Sequence, residues 1–220
     1  SGDIEARLAD TRRIQLVGCG TSLFAAMAGK LFIERIAGVH CDAEQAAEFS
    51  YRDPLLTSQD TVIGISQSGE TADTLRAMAV ARDCHALCVS ITNRVGSTLA
   101  KRTRLGMFLH AGPEIAVAST KAFTSQVAML ALFAGHLAQL RDRPVPPEFL
   151  AALRRLPELL KEALTREEEV KAIALRCAEK KRLIVIARGS GVPLALEAAL
   201  KIREIAYLDA HGLSAAELKH

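Results

Sequence analysis

Short apolar runs recur along the first two thirds of the chain, and each ends in small or polar residues. Ile14 to Val17, Thr61 to Ile65 and Ala86 to Thr92 have the length and composition of buried strands. Stretches rich in Ala and Leu lie between such runs, and the longest predicted helix is Lys121 to Leu140. Strands that alternate with helices at this spacing predict βαβ units and a parallel sheet covered on both faces. The predicted strands are 14–17, 39–43, 61–65, 86–92 and 105–110, and the predicted helices are 23–37, 72–82 and 121–140.

A proline-rich segment, Arg141 to Pro147, interrupts this alternation. Three prolines in four positions are incompatible with a continuing helix, so the segment is predicted to be a linker. Helices at 148–161 and 167–180 follow, and then a buried strand at 182–187. We predict a first domain at 1–140, a linker with connecting helices at 141–181 and a third segment at 182–220.

The third segment begins as the first domain does. Gly18-x-Gly20 and Gly189-x-Gly191 each follow a predicted strand and open a predicted helix. In that register Leu23 aligns with Leu194, and Lys30 aligns with Lys201, which suggests two copies of one α/β unit. The second copy is expected to contain only its first strand and helix. We therefore expect the chain to be a fragment of a longer protein.

Composition and charge exclude several functional classes. Half of the 220 residues are hydrophobic, and the net charge of +3 comes from basic residues that are scattered among acidic ones, which disfavours nucleic-acid binding. No uninterrupted apolar run reaches about 18 residues, so no membrane span is expected. The five cysteines have no second Cys/His pair at zinc spacing, which favours free thiols in a reducing cytoplasm and neither a metal nor another cofactor.

The most informative motif is the loop Ser66-Gln67-Ser68-Gly69-Glu70-Thr71, at the end of a buried strand. It combines three hydroxyls, an amide, a glycine and the N–H groups of a helix start, and such a site suits a phosphate. Ser and Thr are also ordinary N-caps, but three of them in six positions exceed what a cap needs. We expect the loop to bind a phosphate or another anion.

A dinucleotide is a weaker alternative. Gly18-x-Gly20 begins the corresponding fingerprint, but Leu23 stands where the third glycine should be, and no P-loop sequence occurs. Cys19 precedes a predicted helix, so its thiol is either acidified and reactive or, as we favour, a small buried group.

Three charged residues share one face of a predicted helix. Glu197, Lys201 and Glu204 stand at i, i+4 and i+7. They are either a surface ladder of ion pairs or a set in which Lys201 has a catalytic function. The flanking residues are apolar and predict a mostly buried helix, and this leaves the two interpretations balanced.

Together these segments resemble the sugar isomerase (SIS) domain family, and most closely the isomerase half of the glutamine-dependent amidotransferases that make glucosamine 6-phosphate. The resemblance covers nearly the whole chain in order. The residues that carry it are 17–22, 47–52, 66–74, 112–124 and 196–201 through 217–220. It implies a three-layer αβα SIS domain with a mostly parallel, flavodoxin-like five-stranded sheet, followed by the start of a second SIS copy.

The resemblance also implies the residues of the site. Phosphate would bind Ser66, Gln67, Ser68 and Thr71, with Ser22 nearby, and Val117 and Ser119 would contact the sugar. In the same way, Lys201 would form a Schiff base, Glu204 would move the proton between C1 and C2, and His220 would assist ring opening. The ligand would be fructose 6-phosphate, glucose 6-phosphate or glucosamine 6-phosphate. Because that histidine reaches the neighbouring subunit in relatives, a homodimer is implied.

The sequence departs from the family pattern in several places, and other functions remain as alternatives. The glutaminase domain and the remainder of the second unit lie outside this sequence, and Asp209-Ala210-His211 replaces the usual His-Ala-Glu. The alternatives are a stand-alone SIS-domain phosphosugar isomerase or deaminase, and a binding module that senses a sugar phosphate without converting it. We favour the enzyme, because Lys201, Glu204 and His220 have no purpose in a sensor.

Overall fold

The computed structural model describes residues 2–103 and 105–219. The chain divides into two compact units, Ser1–Val145 and Pro146–His220. Each unit has its own parallel sheet. The finer boundaries predicted from the sequence, at residues 140 and 181, stay a prediction.

The first unit is built on a five-stranded sheet. Its strands are β1 (Arg13–Gly18), β2 (His40–Gln45), β3 (Asp60–Ser66), β4 (Leu87–Thr92) and β5 (Leu105–Phe108). The spatial order is β2-β1-β3-β4-β5, and all four pairings are parallel. This is the flavodoxin-like order of a doubly wound sheet, so the predicted α/β fold is confirmed.

Helices cover both faces of this sheet. They are α1 (Gly2–Ala9), α2 (Thr21–Phe32), α3 (Ala46–Tyr51), α4 (Ala72–Asp83), α5 (Thr98–Arg102) and α6 (Lys121–Leu140), and a π-helical turn, Ile33–Ala37, continues α2. One layer contains α1, α2 and α6, and the other contains α3, α4 and α5. Because both faces are covered, every residue of β3 and β4 is buried, which explains their continuous apolar patterns.

The core of the α2 layer depends on a close approach between two helices. A Cβ added at Gly29 of α2 would lie 2.6 Å from Leu130 Cδ1 of α6, so only glycine allows this separation. By length and composition α6 would suffice to cross a membrane, although it contains no unbroken apolar run of that length. Half of its most apolar window is buried within the unit, and this packing is that of a core helix.

The second unit contains α7 (Pro147–Leu164), α8 (Glu167–Ala178), β6 (Arg182–Ala187), α9 (Val192–Ala206) and β7 (Asp209–Ser214). The strand β7 pairs in parallel with β6, and α9 packs on both strands. The expectation of a single strand and helix is therefore wrong, because the unit completes a βαβ motif. The number of residues between paired positions is the same in the two units: Arg13 of β1 pairs with His40 of β2, and Arg182 of β6 pairs with Asp209 of β7.

The helix α9 is less enclosed than its sequence predicts. Ala195 and Ala199 are buried against the strands, whereas Leu194 is 54% exposed and Ile205 is 63% exposed. The two-stranded sheet covers only one side of the helix, and this is the physical reason for the difference. That the unit begins a second SIS copy stays a prediction.

Candidate functional site

Four polar segments meet at the carboxyl edge of the first sheet. They follow β1, β3, β4 and β5, and the parallel pairing brings all four strand ends to one side. Because β3 lies between β1 and β4, the loop Ser66–Thr71 occupies the middle of this edge. Ligands of open α/β sheets bind at this position.

Hydrogen bonds within the loop fix its hydroxyl groups. Ser66 Oγ accepts from the Gly69 N–H at 3.0 Å and lies 2.9 Å from Thr71 Oγ1. Ser68 Oγ accepts from the Glu70 N–H at 3.2 Å, so its own proton stays available to a ligand. Within the described part of the chain, Thr71 makes no side-chain bond to the first turn of α4. The hydroxyl cluster is therefore not an ordinary N-cap, which favours the anion-binding interpretation.

The loop is clamped to the start of α5. The Leu99 N–H donates to the Gly69 carbonyl at 3.0 Å, and the Thr98 N–H donates to Glu70 Oε1 at 2.9 Å. This bond from Thr98 lowers the pKa of the Glu70 carboxyl, which holds it ionised. Gly69 has a φ of +68°, and a Cβ there would lie 2.2 Å from Ser97 Oγ. The glycine is thus required by both its backbone conformation and the space.

The loop after β1 contributes Ser22, which is buried at the start of α2. Its hydroxyl accepts a hydrogen bond of 3.0 Å from Gln126 Nε2 on α6. Cys19 lies 4.0 Å from the Thr74 hydroxyl, and burial raises the pKa of its thiol. This result does not support an acidified, reactive thiol at Cys19. It supports the interpretation of Cys19 as a small packed group.

The segment after β5 is an N-terminal cap for α6, supplied by Glu114. Its Oε1 accepts from the Thr120 N–H at 3.3 Å and from the Thr120 hydroxyl at 3.1 Å, and its Oε2 accepts from the Ala122 N–H at 3.1 Å. Val117 is fully exposed, whereas Ser119 Oγ is buried without a hydrogen-bond partner among the described residues. Contact of Val117 and Ser119 with a sugar stays a prediction.

Sequence reasoning missed a cleft of about 500 Å³ beside the loop. Its lining residues are Gln67, Asn93, Arg94, His110, Gly112 and Pro113. Asn93 shapes it, because its Nδ2 donates to the Gly112 carbonyl at 2.7 Å and its Oδ1 accepts from the Ala111 N–H at 2.9 Å. The position of Asn93 after β4 was a usable signal, but nothing in the sequence pattern singled out Arg94 or His110.

The charged residues of α9 form one cluster in the second unit. Lys201 Nζ lies 2.5 Å from Glu204 Oε2 and 3.6 Å from Glu197 Oε1. The Lys201 side chain is 18% exposed, and that of Glu197 is 8% exposed. The Glu204 side chain is 37% exposed, so the cluster is only partly buried, and a catalytic role for Lys201 stays a prediction. The predicted partner His220 lies outside the described residues.

A serine substitution in the loop tests phosphate recognition. We expect Ser68→Ala to weaken binding of a hexose 6-phosphate by about 1–3 kcal/mol, because a hydrogen bond to a charged group is lost. Ser58→Ala is the matched control, since Ser58 is exposed near the amino end of the same strand. Calorimetric titration measures both affinities, and equal effects would contradict a special role for the loop.

Comparison with known proteins agrees with this geometry. The SIS domain family model matches residues 7–135. The glutamine–fructose-6-phosphate aminotransferase [isomerizing] of Chlorobaculum tepidum is 42% identical over 97% of this chain, and that of Corynebacterium glutamicum is 43% identical over 98%. The chain spans 35% of the length of each, about a third of these relatives.

Solved structures show the same relationship. The C-terminal domain of glucosamine-fructose-6-phosphate aminotransferase from Francisella tularensis superimposes on the whole chain with a TM-score of 0.94 at 35% identity, and the chain covers 63% of it. Glucosamine-6-phosphate deaminase from Thermotoga maritima shares the fold, with a TM-score of 0.76 at 21% identity over the whole chain and 67% of that structure. The match over residues 7–135 covers more than half of the sequence, and the chain therefore belongs to the SIS domain family.

Proposed function

We propose that this chain is the isomerase part of an amidotransferase that converts fructose 6-phosphate to glucosamine 6-phosphate. Ammonia would come from a glutaminase domain outside this sequence. The observation that carries the proposal is the clamped hydroxyl loop at the centre of the carboxyl edge, in which the Ser68 proton is free to donate. The names of the aminotransferase relatives, which match almost the whole chain, support the choice of reaction.

The phosphate would bind in the Ser66–Thr71 loop. Ser66, Gln67, Ser68 and Thr71 would surround it, and Ser22 would approach from the neighbouring loop after β1. The partial positive charge at the start of α4 adds to this attraction. A dinucleotide fits less well, because Leu23 occupies the third glycine position.

The isomerisation would use the cluster on α9. Lys201 would form an imine with C2 of the open-chain ketose and release the carbonyl oxygen as water. Ammonia would then displace the lysine nitrogen from C2, and Glu204 would carry the proton between C1 and C2. The contact of 2.5 Å between Lys201 Nζ and Glu204 Oε2 supports a direct exchange of protons within this pair. His220 would assist ring opening, in a homodimer where it reaches the neighbouring site. A cytoplasmic location is the one consistent with sugar-phosphate metabolism and free thiols.

A stand-alone phosphosugar isomerase or deaminase, or a non-catalytic binding module, is the second candidate. The Thermotoga maritima deaminase has the same fold, so the fold is compatible with this second candidate. The partly buried Lys201 cluster favours an enzyme over a sensor, because burying charges that do no chemistry is costly. Isomerase activity in the full-length protein separates the two classes.

Thermal unfolding tests the ligand class directly. We expect fructose 6-phosphate or glucosamine 6-phosphate to raise the melting temperature of this chain, since a ligand that binds the folded state stabilises it by about 2.7 kcal/mol at a hundred times its Kd. NAD should leave the melting temperature unchanged. A rise with NAD and none with the hexose phosphates would overturn the proposal.

A further inference from the structure

A buried amide stands behind one of the proposed phosphate ligands. Gln126, in the second turn of α6, is fully buried, and its Nε2 donates to Ser22 Oγ. The other end of the amide, Gln126 Oε1, has no hydrogen-bond partner among the described residues. A buried polar atom without a partner is a cost to the fold, so a glutamine here is not explained by stability.

The direction of this hydrogen bond decides what Ser22 can offer a ligand. An amide nitrogen only donates, so Ser22 Oγ is the acceptor and its own proton is not used in the bond. Gln126 therefore occupies one lone pair of the hydroxyl and leaves the proton for another acceptor. A phosphate oxygen only accepts when ionised, and it is the partner that such a hydroxyl suits.

The packing of α2 against α6 holds the two residues at this distance. Gly29 follows Ser22 by seven positions on α2, and Leu130 follows Gln126 by four on α6, so each pair shares a helix face. Gly29 and Leu130 are in close contact across the same seam. This close packing of α2 on α6 leaves Gln126 Nε2 3.0 Å from Ser22 Oγ.

We infer that Gln126 is a positioning residue of the sugar-phosphate site, which turns the Ser22 hydroxyl into a dedicated donor to the ligand. The inference rests on the proposed function. In this role Gln126 does not contact the sugar phosphate. It acts by fixing the direction in which the Ser22 hydroxyl donates its proton.

A double-mutant cycle tests this role with fructose 6-phosphate as the probe. Calorimetric titration of Ser22→Ala should show about tenfold weaker binding, and Gln126→Met, which keeps the side-chain shape, about three- to tenfold weaker binding. The double variant should bind within about twofold of Ser22→Ala, because Gln126 acts through Ser22. The melting temperature of unliganded Gln126→Met should not fall, since the substitution removes the unpartnered amide oxygen.

The outcomes separate the inference from the proposed function. Multiplicative losses in the cycle, or full affinity in folded Gln126→Met, would overturn the positioning role alone. Failure of the unmodified chain to bind fructose 6-phosphate would overturn both. If Gln126→Met does not fold, Gln126→Leu replaces it, because leucine is smaller and also removes the amide donor to Ser22. Full affinity in folded Gln126→Leu would also refute the role.

Discussion

Replacing Gly69 with alanine is expected to destabilise the first unit by about 2–5 kcal/mol and to abolish hexose-phosphate binding. Two costs add: an alanine with positive φ costs about 1–2 kcal/mol, and overpacking of a filled site costs about 1–3 kcal/mol. The new methyl group would meet Ser97 Oγ at 2.2 Å and Thr92 Oγ1 at 2.8 Å. Relief of that clash would move the loop away from α5, and the donors for the phosphate would move with it.

Gly96 provides the matched control for this substitution. It also has a positive φ, of +78°, but a Cβ there would meet nothing within 4 Å. Gly96→Ala should therefore show only the backbone cost, about 1–2 kcal/mol, and keep its affinity for fructose 6-phosphate. Urea unfolding and calorimetric titration measure both quantities. Equal losses in the two variants would contradict the steric argument.

Long elements with one dominant pattern were the easiest to predict. The helix α6 has the predicted bounds, and β3 and β4 agree with the predicted strands to within one residue at each end. The short helices α3 and α5 were missed, because five or six residues contain too little of the helical period to be distinguished from a loop. The strand β7 was missed because its sequence, Asp209 to Ser214, has a strand's hydrogen bonds only through its pairing with β6.

The candidate site was predictable in chemistry but not in its supporting contacts. The hydroxyls of the Ser66–Thr71 loop are close together in the sequence, so their clustering could be predicted once the preceding strand was identified. The partner of Ser22 is Gln126, 104 residues away, and no local pattern connects them. The contact between Ser97 and Gly69 was equally unpredictable, because it depends on the tertiary packing of α5 against the loop.

The second large effect is expected at the charged cluster of α9, measured in the full-length protein. Lys201→Ala and Glu204→Gln should each lower the rate of fructose 6-phosphate isomerisation by about a hundredfold or more, because proton transfer by a positioned side chain contributes about 10²–10⁴. Burial distinguishes this cluster from a surface pair. The Lys201 side chain is 18% exposed and bonds to Glu204 Oε2 at 2.5 Å, whereas Lys171 is 63% exposed and lies 3.8 Å from Glu168 Oε1.

Lys171→Ala on α8 is therefore the matched control, since exposed ion pairs contribute about 0–1 kcal/mol and this one stands at the same i, i+3 spacing. Its isomerase rate should be unchanged. Borohydride reduction in the presence of fructose 6-phosphate should convert the imine to a stable secondary amine, and peptide mapping should find the adduct on Lys201 and lose it in Lys201→Ala. An active protein that yields no adduct at Lys201 would refute the imine. Full isomerase activity in folded Lys201→Ala and Glu204→Gln would refute the catalytic assignment and leave only the phosphate site, because the Ser66–Thr71 loop belongs to the other unit.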